Sequence, residues 1–320
     1  MKIVVLFVTL FGLSQELQAQ WLARDATIMG TNIHVEVWAE DPILGEKAMQ
    51  TVFAEMQRIN QLMSPYIKTS ELSKINQFAA LQPVVISTEM FDLIQLSVGL
   101  SAETQGAFDI TFASVGFLYN YQQKIKPDQQ ALDKAVAAIN YKHIQLTKKD
   151  SSIEFAHPDV KIDLGGIAKG HVVDTSIELL RALGIEHALV TAGGDTKLLG
   201  DRRGRPWHVG IRDPRDKSRQ AVVLPLVNTA ISTSGDYERY FEQDGQRYHH
   251  ILSPKTGKSV YQVQSVSIVG KRSTLNDGLS TAVFVLGVKA GMDLINRTPG
   301  YDAIIMDNKR KLHYSEALAP

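Results

Sequence analysis

Residues 31–63 read TNIHVEVWAEDPILGEKAMQTVFAEMQRINQLM, a strand pattern followed directly by a helix pattern. Polar and apolar residues alternate in Thr31–Trp38, which predicts a half-buried strand. Asp41 and Pro42 predict a helix start, because Asp is a favourable N-cap and Pro fits the first helical position. Behind them, apolar residues recur every three or four positions and predict one buried helix face: Ala48, Val52, Met56, Ile59 and Met63.

The same patterns continue on the C-terminal side of this stretch. They predict further helices beginning at Ser87 and spanning Asp128–Ile139, Gly170–Leu183 and Leu275–Leu286. Short strands are predicted at His187–Thr191, Trp207–Arg212, Val222–Leu226, Ala230–Thr233, Arg247–Leu252, Ser265–Val269, Ala303–Met306 and Lys311–Tyr314. Helices and strands mix without a regular strand–helix–strand alternation, so the pattern favours the α+β class.

Composition restricts the class of protein. The chain has 320 residues, of which 44% are hydrophobic and 21% are charged, as in soluble globular proteins. Its length allows one large domain or two lobes. Lys plus Arg and Asp plus Glu are both 34, so the broad basic field of a nucleic-acid binder is missing and we expect no nucleic-acid partner. The absence of cysteine excludes disulfides, thiolate nucleophiles and iron–sulfur clusters.

The N-terminus has the pattern of a secretory signal peptide. Lys2 precedes an apolar run from Ile3 to Leu13, and Ala19 supplies a small residue at a cleavage position. An uncleaved anchor is disfavoured because the run is too short to span a bilayer. We therefore expect residues 1–19 to be removed and residues 20–320 to form an exported, soluble, periplasmic protein. Because the sequence has no cysteine, we do not expect a lipoprotein anchored through an N-terminal cysteine.

A glycine-rich segment, Asp163–Gly170, reads DLGGIAKG between a predicted strand and a predicted helix. Glycines let a backbone approach a ligand closely, and a helix N-terminus offers N–H groups to phosphate. The spacing matches neither the dinucleotide-binding nor the P-loop fingerprint. From spacing alone, a ligand loop and an ordinary strand–turn–helix junction are equally good interpretations. The paired glycines before Asp195 favour a structural turn.

Two more segments carry residues suited to chemistry. Asp277 and Thr281 share one helix face, which suits a hard cation such as Mg²⁺, but Thr274 and Asp277 also resemble a capping box. Spacing leaves these two interpretations open. His249 and His250 lie on a predicted strand, so they face opposite sides and at most one enters a given site.

Taken together, these and other segments resemble the FAD:protein FMN transferase (ApbE) family. The matching segments occur in family order from Met29 to about Leu286: Met29–Thr31, Met63–Tyr66, Ser70–Asn76, Gly106–Asp109, Asp163–Gly170 with Asp174, Ala192–Asp195, Thr233–Arg239, Tyr248–Ile251, Pro254–Gly257 and Asp277–Thr281. Ile110 and the stretch Ser114–Tyr121 depart from the family pattern.

The resemblance implies a two-lobed α+β fold with mixed or antiparallel sheets, flanking helices and an active site in the cleft between the lobes. Residues 20–320 would form a single transferase domain. The implied reaction is Mg²⁺-dependent transfer of FMN from FAD to a Thr or Ser hydroxyl of a partner protein through a phosphoester, with release of AMP. Family partners are typically subunits of membrane redox complexes.

The resemblance also implies roles for individual residues. His250 corresponds to the proposed catalytic base. FAD contacts fall on Met29, Tyr66, Ala107, Phe108, Asp109, Asp163, Lys169 and Leu252. Metal ligands fall on the Gly166 backbone, Asp277, Ser280 and Thr281. Two alternatives stay open: an Mg²⁺-dependent FAD pyrophosphatase that yields FMN and AMP, and a periplasmic flavin-binding protein.

Overall fold

The computed structural model describes residues 19–319, which form antiparallel strands and packed helices. The predicted signal peptide, residues 1–19, lies outside the described residues except for Ala19. The helices are α1 (Pro42–Met63), α2 (Glu71–Phe78), α3 (Thr88–Glu103), α4 (Ala113–Gly116), α5 (Gln129–Val136), α6 (Ala168–Ala182) and α7 (Ser273–Asn296). The strands are β1 (Gln20–Ile28), β2 (Thr31–Ala39), β3 (Val84–Val85), β4 (Ile144–Thr147), β5 (Ser152–Phe155), β6 (Ala188–Ala192), β7 (Asp195–Leu199), β8 (Trp207–Asp213), β9 (Asp216–Leu226), β10 (Ala230–Gly235), β11 (Tyr240–Gln243), β12 (Gln246–His249), β13 (Val263–Gly270), β14 (Tyr301–Asp307) and β15 (Leu312–Tyr314).

A central sheet of eight strands organises the described chain, in the order β1-β2-β6-β7-β10-β13-β14-β15. Every neighbouring pair in it is antiparallel. A smaller sheet has the order β3-β5-β4, and β8–β9 and β11–β12 form two-stranded ribbons. Helices α1, α6 and α7 pack on the central sheet. This arrangement confirms the predicted α+β class.

The predicted helix face of α1 is the face that the fold buries: Ala48, Val52, Met56, Ile59 and Met63 all lie in the core. They belong to the main hydrophobic cluster, whose members come from many elements between Ile28 and Ile305 in the sequence. Because one cluster contains residues from most of the described chain, it does not show where two lobes would divide. The division into two lobes therefore stays a prediction.

Predicted helix starts are confirmed at three caps. The side chains of Asp41, Ser87 and Asp128 accept hydrogen bonds from backbone N–H groups two or three residues ahead. The predicted helix Asp128–Ile139 is too long, because α5 ends at Val136. The helix predicted to end at Leu286 breaks at Gly287, whose φ is +76°, and then resumes to Asn296.

Two further differences affect the site. The predicted strand Arg247–Leu252 is wrong beyond His249, where β12 ends and the chain bends. Strands β1 and β7 carry no clear alternation of polar and apolar residues and were not predicted. Each is defined by its pairing with a neighbour, β1 with β2 and β7 with β6 and β10.

Helix α7 is long and apolar enough to cross a membrane by length and composition alone. It nevertheless packs against β10, β13, β14 and α6, and more than half of its apolar window is buried inside the fold. Its apolar character is therefore that of a core helix.

The start of α7 is capped by a residue distant in sequence, Asp174 on α6. Its carboxylate accepts hydrogen bonds from Ser273 N at 3.0 Å and from Thr274 N and Oγ1 at 2.9 and 2.6 Å. It also accepts one from Lys197 Nζ at 2.7 Å. The interpretation of Thr274 and Asp277 as a capping box is therefore wrong, because the Asp174 carboxylate takes the role of the N-cap side chain.

We expect Asp174→Ala to lower the free energy of unfolding by about 2–3 kcal/mol, because two helix N–H groups and a largely buried lysine lose their acceptor. Asp174→Asn keeps an acceptor oxygen and should lose less. Urea denaturation of both variants measures the difference. Equal stability of Asp174→Ala and the unchanged protein would contradict this assignment.

Candidate functional site

Lys169 connects the glycine-rich segment to two acidic side chains. It lies in the first turn of α6, and its Nζ is 3.1 Å from both carboxylate oxygens of Asp277 and 3.0 Å from Oδ2 of Asp195. Nζ also donates to the carbonyl oxygen of Gly165 at 3.2 Å. Both carboxylates raise the pKa of Lys169 against the opposing effect of burial, so it is charged.

Asp277 is almost fully buried, with 3% of its surface exposed, and faces α6. Besides Lys169, it accepts a hydrogen bond from Gly170 N at 3.1 Å. Burial and the nearby Asp195 raise the pKa of Asp277, while Lys169 and the Gly170 N–H oppose that rise. A cation beside this carboxylate is therefore needed to keep it charged, and in this structure the ammonium of Lys169 provides it.

Asp195 is a functional candidate that sequence reasoning assigned to a turn. It begins β7 with 2% of its surface exposed, and its Oδ1 has no hydrogen-bond partner among residues 19–319. A buried carboxylate oxygen without a partner is costly in a structural turn and is common in ligand sites. The family segment Ala192–Asp195 was the available signal, but only the fold places Asp195 beside Lys169.

Three residues predicted as metal ligands lie around Asp277. A Cβ built on Gly166 would lie 3.3 Å from Thr281 Oγ1, so the Gly166 backbone adjoins that hydroxyl. Ser234 on β10 bonds Ser280 Oγ at 2.8 Å and Thr281 Oγ1 at 3.3 Å. Ser280 also donates to the Asp277 carbonyl oxygen at 2.8 Å, so its hydroxyl proton is already used. Thr281 is the better placed hydroxyl.

Some of the residues predicted to contact the flavin already have partners within the protein. Phe108 is buried, and a Cβ on Gly166 would lie 3.4 Å from its ring. The Asp163 carboxylate accepts a hydrogen bond from Gly165 N at 2.6 Å, and burial raises its pKa. Asp109 is occupied differently: its oxygens accept hydrogen bonds from Thr111 and from Tyr141 N, so its side chain holds the local fold. Ala107 precedes Phe108 and is also buried.

The remaining predicted flavin contacts are Met29, Tyr66 and Leu252, which lie in three different parts of the chain. Met29 has a left-handed φ of +56° in the turn between β1 and β2. Tyr66 follows α1 and is 70% exposed. Leu252 packs in a separate apolar cluster with Val115 and Leu132.

The two histidines differ sharply in their surroundings. His249 is buried in the core: its Nε2 lies 2.7 Å from the Val260 carbonyl oxygen, and its Nδ1 accepts from Ile251 N at 3.3 Å. Both ring nitrogens are therefore used, and the ring packs edge-on against Phe284. His249 is a structural residue.

His250 follows the end of β12, and its Nδ1 is buried without a hydrogen-bond partner among the described residues. Burial lowers its pKa to about 3, and the charges of Arg239 and Lys169 and the neighbouring His249 act in the same direction. The imidazole is therefore neutral near pH 7. Because β12 ends at His249, His250 lies outside the strand, and the expectation that strand alternation makes the two histidines face opposite sides does not apply.

Helices α6 and α7 approach each other closely at Gly170, where a Cβ would overlap the Ser273 carbonyl oxygen and lie 2.8 Å from Thr274 Cα. We expect Gly170→Ala to lower the free energy of unfolding by about 1–3 kcal/mol or more, because backbone atoms must move apart. Gly99→Ala in α3 is the matched control, since nothing lies within 4 Å of its Cβ position. The control should be neutral or slightly stabilising. Equal effects in thermal unfolding would contradict the close approach.

Comparison with known proteins gives a consistent result. The sequence model of the ApbE family matches residues 29–305. The chain is 32% identical over 318 residues to an FAD:protein FMN transferase of Vibrio cholerae, covering 95% of this chain and 94% of that protein. It is also 32% identical to an FAD:protein FMN transferase of Treponema pallidum, covering 92% and 87%.

Solved structures agree. The ApbE protein of Thermotoga maritima has a TM-score of 0.87 and 32% identity, covering 93% of this chain and 98% of that chain. The flavin transferase ApbE of Vibrio cholerae has a TM-score of 0.83 and 28% identity, with the same coverage. The match extends over nearly all of the described residues and includes the group around Lys169.

Proposed function

The chain belongs to the ApbE family and transfers FMN from FAD to a protein, and we propose that Mg²⁺ supports the reaction and that the acceptor is a Thr or Ser hydroxyl. One observation carries this proposal. Two buried carboxylates, Asp277 and Asp195, share the single ammonium of Lys169 beside a hydroxyl and a glycine backbone. This group holds an excess of negative charge that a divalent cation would balance.

The residues present fit Mg²⁺. Asp277 and Thr281 lie one helical turn apart on α7, and the Gly166 backbone adjoins Thr281, so carboxylate, hydroxyl and carbonyl oxygens are available together. The unpartnered Oδ1 of Asp195 adds a further negative atom nearby. Ser280 is the weakest member because its hydroxyl already bonds two neighbours. When bound, Mg²⁺ would neutralise charge on the pyrophosphate oxygens.

The protein's own residues suit the remaining chemistry. The acceptor hydroxyl oxygen forms a bond to the phosphorus of the FMN moiety, the bond from that phosphorus to the bridging oxygen breaks, and AMP leaves with the bridging oxygen. The hydroxyl proton must be taken up as the new bond forms. We assign that step to His250, which is neutral and has a ring nitrogen free of protein partners.

The flavin would lie against the outer residues of the site. Tyr66 and Phe108 offer aromatic surfaces to the isoalloxazine ring, with Met29, Ala107 and Leu252 as apolar neighbours. Asp163 and Lys169 supply polar contacts. Asp109 would contribute through its backbone, because its carboxylate is occupied within the protein.

Incubation with FAD, Mg²⁺ and a candidate acceptor protein tests the proposal. We expect AMP release together with covalent FMN on a Thr or Ser of the acceptor, detected by peptide mass spectrometry. Removal of divalent cations with EDTA should stop both. AMP with free FMN would instead identify an FAD pyrophosphatase, and unchanged FAD would identify a flavin-binding protein.

The place of the reaction in the cell is also part of the proposal. We propose a periplasmic protein whose acceptor is a subunit of a membrane redox complex, supported by the apolar run Ile3–Leu13 that closes before Ala19. Residues 1–19 should be missing from the exported protein. Intact-mass measurement on periplasmic material checks this expectation, and a chain that still begins at Met1 would contradict it.

A further inference from the structure

The pyrophosphate of FAD brings two negative charges into a site that already holds several carboxylates. Lys169 is one cation of this site, but its Nζ lies within 3.1 Å of carboxylate oxygens of both Asp277 and Asp195. A single ammonium between two carboxylates has little positive charge left for a phosphate. A second positive group that no carboxylate neutralises would therefore add to the charge that Mg²⁺ supplies to the pyrophosphate.

Arg239, between β10 and β11, has this property. Its guanidinium forms no salt bridge with any carboxylate within residues 19–319, and its side chain is exposed. The neighbouring arginines differ, because Arg215 pairs with Asp236 at 2.6 Å and Arg247 pairs with Glu242 at 2.8 Å. Arg239 instead donates from Nη2 to the hydroxyl of Tyr66 at 3.1 Å.

Arg239 is also next to His250, the proposed base. Its carbonyl oxygen accepts a hydrogen bond from His250 N at 3.0 Å. Its guanidinium lies 5.6 Å from the ring centre of Tyr121. Its charge also acts on the pKa values of His250 and Asp163, lowering the first with burial and limiting the rise that burial causes in the second. The guanidinium therefore lies within electrostatic range of both residues.

We propose that Arg239 binds a phosphate of the FAD pyrophosphate, at a position that the sequence patterns assign to no role. A guanidinium presents parallel N–H donors that match phosphate oxygens, and its charge is permanent. The Tyr66 hydroxyl accepts a hydrogen bond from this side chain, and a phosphate of FAD would replace it as the stronger, charged acceptor. This inference rests on the proposed function, because it requires FAD as the substrate.

Titration with FAD and with riboflavin, which lacks both phosphates, tests the inference. The measurements are made in EDTA so that FAD is not consumed. We expect Arg239→Gln to weaken FAD binding by about tenfold or more, because a charge-assisted hydrogen bond is lost, and to leave riboflavin binding unchanged. Arg239→Lys keeps the positive charge but lacks the parallel N–H donors of a guanidinium, so it should lose less FAD affinity than Arg239→Gln. Raising the salt concentration should weaken FAD binding more in the unchanged protein than in Arg239→Gln.

Arg219→Gln is the matched control, because Arg219 is exposed on the β8–β9 ribbon. It should leave both affinities unchanged, and thermal unfolding verifies that each variant is folded. Equal FAD affinity of Arg239→Gln and the unchanged protein would overturn the inference. Equal losses for FAD and riboflavin would also overturn it, since Arg239 would then act on the flavin end through Tyr66. If the unchanged protein bound no FAD either in EDTA or with Mg²⁺ present, the proposed function itself would fail.

Discussion

Asp277→Ala is expected to lower the rate of FMN transfer by about 10³-fold while the protein stays folded. A metal ion contributes several kcal/mol to the stabilisation of developing charge, and each ~1.4 kcal/mol corresponds to tenfold in rate. Asp277 is the one carboxylate among the residues assigned to the metal, so its removal should take away most of this contribution. Lys169 keeps Asp195 as a partner, and no buried charge is left unpaired.

The structural cost of this substitution should be modest. Gly170 N loses its acceptor, and a buried N–H without a partner costs about 1–3 kcal/mol. The N-cap of α7 is unaffected, because Asp174 supplies it. Stability and activity therefore report on separate roles, which the interpretation as a capping box did not allow.

Rates measured over a range of Mg²⁺ concentrations, together with urea denaturation, check both expectations. Asp293→Ala is the matched control, because Asp293 is an exposed acid on the same helix. It should keep the rate of the unchanged protein. A folded Asp277→Ala protein that reaches the unchanged rate at low Mg²⁺ would rule out a metal role for Asp277.

Local sequence predicted those parts of the fold that local interactions determine. Asp41, Ser87 and Asp128 cap their helices with their own side chains, so the starts of α1, α3 and α5 were visible in the sequence. The ends were less visible. The end of β12 at His249 depends on surrounding contacts, since Ser259 Oγ bonds both the N–H and the carbonyl oxygen of His249.

In the candidate site too, the residue types could be predicted from the sequence, whereas their contacts could not. The residue types and the family order identified Lys169, Asp277 and Thr281. The pairings between them depend on the tertiary fold: Lys169 and Asp277 are 108 positions apart, and Asp174 reaches Thr274 over 100 positions. Asp195 could not be separated from an ordinary turn residue, because its burial and its lysine partner follow only from the packing of β7 beside α6.

His250→Asn is expected to lower the rate of FMN transfer by about 10²–10⁴-fold, the usual contribution of a general base, with little change in FAD affinity. In the proposed role, the imidazole would act on the acceptor hydroxyl and not on the flavin, so FAD binding and turnover should respond differently. FAD titration and single-turnover transfer measure the two quantities. His249→Asn is the comparison: it removes the ring nitrogen bonded to the Val260 carbonyl oxygen, so it should cost stability but keep the rate of the folded protein.

The pH profile gives the second test of His250. An exposed histidine with a pKa near 6.5 would be mostly protonated at pH 5.5, and the rate would fall about tenfold between pH 7.5 and 5.5. Burial and the charges of Arg239 and Lys169 lower the pKa of His250 to about 3, so it stays neutral throughout this range. The rate of the free enzyme should therefore show no step near pH 6.5 from this group. A step there that disappears in His250→Asn would show that the ring is accessible to water and charged at mild acidity. A full rate in His250→Asn at every pH would move the base to another residue, with Asp163 next because burial already raises its pKa.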